Sequence, residues 1–133
     1  MTTRTASCRC GHLTATVNGD PVRVSVCHCL NCKKRSGSAF AVQARWPSAQ
    51  VKTEGQSRTF VMVADSGNSA TFHFCSDCGS DVYYVNNGKF DDLIAIPVGA
   101  FQDPWFATPA YSVWEERKHA WVEISGEGVT HSF

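Results

Sequence analysis

The seven cysteines of this 133-residue chain stand at 8, 10, 27, 29, 32, 75 and 78, grouped as C-x-C, C-x-C-x-x-C and C-x-x-C. Sulfurs two or three residues apart suit a tetrahedral metal ion, because one short turn can aim two thiolates at a point about 2.3 Å from each. A disulfide framework would favour an even count and an export signal. Here the count is odd and the opening MTTRTASCRCG has no apolar segment, so a cytoplasmic protein with reduced thiols is expected. Zinc is the expected metal, since the C-x-C spacings do not match the cysteine runs that bind iron-sulfur clusters. Two four-coordinate zinc ions, the expected complement per chain, need eight ligands. Seven cysteines leave one position for a histidine, giving two closed sites, or for water and substrate, giving one closed and one open site.

Cys27, Cys29 and Cys32 lie close enough in sequence to hold one metal by themselves. Cys8/Cys10 and Cys75/Cys78 are each followed by glycine, Gly11 and Gly79, which lets the backbone turn sharply beneath a bound sulfur. These two pairs are expected to be the halves of one four-cysteine site that ties the amino-terminal strand to the middle of the chain. Structural zinc of this kind supplies on the order of 10 kcal/mol of folding free energy. His28, inside the central group, and His73, two residues before Cys75, are candidates for packing behind the ligands, with a solvated or hydrogen-bonded histidine as the ordinary reading. Lys33, Lys34 and Arg35 either offset thiolate charge and attract an acidic substrate or form a solvated turn.

The elements that must position these groups read as strands. Leu13, Ala15 and Val17 alternate with polar residues, Gly19-Asp20-Pro21 marks a turn, and Val22, Val24 and Val26 alternate again, which predicts a β-hairpin leading into Cys27. Lys33 to Gly37 predicts no more than a single helical turn. Period two resumes at Phe40, Val42, Ala44 and Trp46, and Pro47 ends that strand. Short strands are expected at Val51 and Thr53, at Thr59 to Ala64, and from Ala70 into Cys75 after an Asp65-Ser66-Gly67-Asn68 turn. Others are expected at Val82 to Val85, Leu93 to Val98, Tyr111 to Trp114 and Trp121 to Ile124. Trp46, Trp105, Trp114 and Trp121 are expected to close the core between sheets, with at most one lining a pocket. Residues 1–133 thus read as a single mostly-β domain with zinc knuckles at strand ends.

Lys+Arg and Asp+Glu both number 12, and the charged fraction of 18% beside 43% hydrophobic residues describes a globular chain. A balanced charge argues against nucleic acid as partner. The longest apolar run, Leu93 to Phe101, is interrupted by Pro97 and Gly99 and falls well short of the roughly 20 residues a membrane-spanning helix requires.

CRCG, CHCLNC and FHFCSDCG, in that order and followed by a terminal Trp-Val-Glu-Ile segment, resemble the glutathione-dependent formaldehyde-activating enzyme family, which includes relatives of centromere protein V. The resemblance runs over about residues 5 to 133, and three separate cysteine motifs carry it. It implies a β-tent fold of short antiparallel sheets, a structural zinc on Cys8, Cys10, Cys75 and Cys78, and a catalytic zinc on Cys27, Cys29 and Cys32. The implied activity is that of a carbon-sulfur lyase that forms or cleaves an S-hydroxymethyl thiol adduct. The implied partner is glutathione or another small thiol, or its aldehyde adduct. This chain carries His28 where the better-studied members have glycine. A non-catalytic zinc module that binds another macromolecule is the alternative, and the two differ in whether the second zinc has an exchangeable fourth ligand. The oligomeric state is not legible in these patterns.

Overall fold

The computed structural model describes residues Thr2–Ala64 and Ser66–Phe133. Along them run β1 (Thr3–Ser7), β2 (Thr14–Asn18), β3 (Arg23–Cys27), α1 (Leu30–Ser36), β4 (Ala41–Pro47), β5 (Val51–Glu54), β6 (Ser57–Val63), β7 (Ser69–Cys75), β8 (Asp81–Asn87), β9 (Leu93–Pro97), β10 (Tyr111–Val113) and β11 (Thr130–His131). The fold is mostly β, with cysteine clusters at strand ends. Strands β1-β2-β5 form a small antiparallel sheet, and the rest form a sheet in the order β11-β10-β3-β4-β9-β8-β7-β6. The larger sheet is antiparallel except where β10 runs parallel to both β3 and β11. Asp65, the first residue of the predicted 65–68 turn, lies outside the described residues. Among them, no helix is long and apolar enough to cross a membrane.

Alternation sets which side chains meet. One face of the large sheet contributes Val24, Ala44, Trp46, Val82 and Ile96 to a core whose other wall is Ala6, Leu13, Ala15 and Val17 from the small sheet and its approach. Trp46 is fully buried, stacks on Phe106, packs against the tilted ring of Phe101, and donates its indole N–H to the Gly19 carbonyl at 3.0 Å. Burying a ring of that size contributes on the order of 4–6 kcal/mol before the entropic cost of ordering it. The opposite face carries a smaller cluster of Ala70, Tyr84 and Ala95 with Phe72 packed against it.

Four expectations are corrected. β2 and β3 do not form a hairpin: β2 lies between β1 and β5, while β3 lies between β10 and β4. Alternation reports which face of a strand is buried and is silent on which edge it pairs. The Gly19 amide, at φ +81°, bonds the Thr2 carbonyl at 2.7 Å and turns the chain out of the small sheet. The helix is longer than one turn because it starts at Leu30, capped by the Cys29 sulfur, which accepts from the Cys32 amide at 3.2 Å, and it ends at Gly37 in the left-handed region. Trp121 to Ile124 is not a strand; Val122 alone in it is buried, and the last strand is β11. Of the four tryptophans only Trp46 closes the core, whereas Trp105 and Trp121 are 93% and 76% exposed.

Candidate metal centres

The first centre joins two chain segments. Cys8 follows β1, Cys75 ends β7, and the tight turns at Gly11 (φ +83°) and Gly79 (φ +78°) bring Cys10 and Cys78 back towards them. The Gly11 amide bonds the Cys8 carbonyl at 3.1 Å, and the Gly79 amide bonds the Cys75 carbonyl at 2.9 Å. The four sulfurs lie within 4.8 Å of one another, with Cys8–Cys10 and Cys10–Cys75 both at 3.6 Å. A zinc tetrahedron with bonds of ~2.3 Å has edges of about 3.8 Å, so the donor set fits that ion in chemistry and in spacing. Backbone N–H groups point at the sulfurs, from Leu13 to Cys8 at 3.2 Å and from Asp77 to Cys75 at 3.4 Å, as thiolate acceptors require. Amides of Ser80 and Cys10 hold Cys78 down to about 5. The His12 amide draws Cys10 down as well, but its closeness to Cys75 and Cys8 pushes it up to about 12. Four sulfurs gathered this closely favour a cation that takes the place of their protons.

The second centre is local. Cys27 ends β3, Cys29 caps α1 and Cys32 sits in its first turn, and their sulfurs also lie within 4.8 Å of one another. Hydrogen bonds from the Cys27 and Cys32 thiols hold Cys29 down to about 2, while the same sharing with Cys29 and Cys32, together with burial, pushes Cys27 up. This group too could hold a metal ion. Among the described residues, no fourth His, Cys, Asp or Glu joins it.

His28 is fully buried and turned aside, with Nε2 2.9 Å from Ser112 Oγ. Burial lowers its pKa, which favours the neutral ring. Its backbone N–H bonds the Val113 carbonyl at 3.1 Å, so β10 anchors the central cysteine loop through backbone and side chain alike. His73 does not join the first centre; it bonds Ser57 Oγ at 3.0 Å and stacks on Tyr83 at 4.3 Å. The basic run divides. Lys33 Nζ donates to the Arg117 carbonyl, Arg35 pairs with Asp81 at 3.7 Å, and Lys34 is not buried.

A cavity of about 260 Å³ lies against the triad, lined by Cys27, Cys29 and Cys32 together with side chains that the cysteine spacing did not reveal: Arg23, Ser25, Gln43, Arg45, Phe72, Tyr84 and Trp114. Period two counted back from Cys27 would have found Ser25 and Arg23 on the same strand face. Nothing local marks Gln43, Arg45 or Tyr84, which arrive from other strands. Burial raises the Tyr84 phenol pKa, which favours its protonated form, and its oxygen accepts from Arg45 at 3.3 Å. Trp114 holds left-handed backbone, φ +58°, an uncommon conformation for a bulky residue and one that recurs at functional sites.

No curated protein matches this chain significantly. Its fold is similar to that in the crystal structure of a Rhodobacter sphaeroides protein, with 17% identity, a TM-score of 0.57, and coverage of 75% of this chain and 91% of that one. The model of the family described as glutathione-dependent formaldehyde-activating enzyme matches residues 3–117. With the three cysteine motifs inside that span and their sulfurs gathered into two clusters, this chain belongs to the glutathione-dependent formaldehyde-activating enzyme family.

Proposed function

We propose that residues 1–133 form one zinc-binding β domain that acts as a carbon-sulfur lyase on the adduct of a small thiol, glutathione among them, with an aldehyde such as formaldehyde. Cys8, Cys10, Cys75 and Cys78 would hold a structural zinc, and Cys27, Cys29 and Cys32 a second zinc at the reaction site. Zinc there supplies a thiol acidified and oriented for attack. In the forward direction the thiol sulfur bonds the carbonyl carbon, the π pair of the C=O bond passes to oxygen, and the thiol proton ends on that oxygen. The reverse reaction breaks the same carbon-sulfur bond. Thiolate ligands also fit a reducing compartment such as the cytoplasm.

One observation supports this reading above all: three sulfurs border a cavity, and among the described residues no fourth side chain completes their set. The histidine placed between them by sequence bonds Ser112 instead. The chain's own contribution is positional. The Cys32 amide bonds Cys29 Sγ, the His28–Ser112 contact steadies the loop, and Phe72 and Trp114 give the cavity apolar walls.

The test replaces zinc with cobalt and titrates the protein with glutathione, cysteine and a simple alkyl thiol while the visible spectrum is followed. A spectral change at the triad cobalt supports the lyase. No change with any thiol overturns it and favours the non-catalytic interaction module.

A further inference from the structure

Strand β3 places Arg23, Ser25 and Cys27 on one face, and β4 sets Arg45 opposite Arg23 and Gln43 opposite Ser25. All five line the cavity over the triad. Like charges directly opposite on neighbouring strands repel, and such a pair normally has a carboxylate between or beside it. Among the described residues neither arginine has one within 4.0 Å, whereas Arg35, the third arginine of the cavity, is paired with Asp81. Aromatic rings hold the two instead. The Arg23 guanidinium lies 4.0 Å from the Tyr111 ring centre, and that of Arg45 lies 5.8 Å from both Tyr84 and Phe90.

A second, independent feature lies between these cations and the sulfurs. Gln43 is only 4% exposed, its Nε2 donates to Ser25 Oγ at 3.4 Å, and its Oε1 has no hydrogen-bond partner among the described residues. A buried acceptor left unmade is costly, and a ligand that donates to it removes that cost. From one end of this face to the other, the cavity therefore offers soft sulfur ligation, a hydrogen-bond acceptor, and a pair of guanidinium groups that no carboxylate among the described residues neutralises and that suit a planar anion.

We propose that this cavity takes a thiol adduct carrying a carboxylate, with Arg23 and Arg45 binding the carboxylate and Gln43 accepting from the adduct hydroxyl. The proposal rests on the lyase reading and names its substrate class. A volume of about 260 Å³ falls just below the roughly 300–1,000 Å³ usual for ligand sites, which suits a short-chain adduct. The carboxylate belongs either to the thiol half or to the carbonyl half. In both cases the bond made and broken is carbon-sulfur, and the thiol proton moves to and from the carbonyl oxygen.

The test uses the full chain, with cobalt spectra and, on the zinc protein, thermal shifts as readouts. The first comparison sets 3-mercaptopropionate against its neutral amide. The second sets ethanethiol with glyoxylate against ethanethiol with formaldehyde. A preference of about tenfold or more for the acid in the first comparison places the carboxylate on the thiol half, and the same preference for glyoxylate in the second places it on the carbonyl half. Either supports the proposal if Arg23→Gln and Arg45→Gln each shrink the preference while neutral thiols bind as before. If the glutamine variants do not fold, Arg45→Lys and the wild-type comparisons decide. Thiols that bind without preference in either comparison overturn the anion site and leave the lyase reading intact. Thiols that do not bind at all overturn both.

Discussion

His28 and Ser112 stand 84 positions apart in the chain, yet His28 Nε2 lies 2.9 Å from Ser112 Oγ with both side chains fully buried. This contact fastens the loop that carries three cysteines to β10, whose parallel register aligns Val113 with Cys27. His28→Ala removes a buried ring together with its contact to the serine hydroxyl, so a loss of about 2–4 kcal/mol is expected. Ser112→Ala should cost about 1–2 kcal/mol, and the double variant less than the sum. Denaturant unfolding of the four proteins measures the coupling, and additive losses would mean that the contact contributes nothing of its own.

The two metal centres should respond differently to ligand loss. Cys75 joins the end of β7 to a cluster reached from β1, whereas Cys29 serves a group contained within six positions. Cys75→Ser is expected to unfold the protein or lower its melting temperature severely, while Cys29→Ser leaves a folded chain that binds one zinc in place of two. Mild chelation of the wild type should remove the three-ligand metal first. Metal analysis beside thermal melts checks both, and equal, severe destabilisation by the two substitutions would assign a structural role to the triad as well.

Gly55 admits no side chain. A Cβ built there would stand 2.1 Å from the His12 carbonyl oxygen, and φ is +97°. The obstacle is backbone, which cannot swing aside. Gly55→Ala is therefore expected to cost about 2–4 kcal/mol or to displace the turn before Leu13, next to the first centre. A thermal melt with metal analysis reads both effects. By contrast Gly67→Ala, with nothing within 4 Å of its Cβ but φ +88°, should carry only the milder cost of left-handed backbone.

Glu115 carries a pH dependence that can be isolated. Burial draws its carboxyl up, but hydrogen bonds with His131, at 2.6 Å, and Ser112 outweigh that and hold it below its ordinary value of 4.5. A carboxylate depressed in the folded state stabilises the fold above pH 4.5, and the contribution is lost as pH falls through the folded pKa. Glu115→Gln should therefore melt below the wild type at about pH 7, and the gap should close in the acid limb. A gap that stays constant with pH would show that the carboxylate charge plays no part. Comparing the two proteins at each pH cancels acid release of metal, which both share.

What the sequence determined by itself was chemistry set by near neighbours. Two cysteines spaced by one or two residues and followed by glycine must present their sulfurs together, because the geometry of a single turn allows little else. Alternation likewise marked most strands, since burial of one face depends only on period two. The fold class and the family were legible for the same reason, as three local motifs in order carry both. Tertiary structure decided every matter that depends on edges and on distance along the chain. The partners of β2 and β3, the exposure of Trp105 and Trp121, and the turn of His28 towards Ser112 follow from which strand edges found each other. So does the meeting of Arg23 with Arg45 above the triad. A strand's own residues state which side must be dry. The choice of neighbour is made by the whole chain burying its apolar faces at once, and that choice sets the charged and polar walls around the sulfurs.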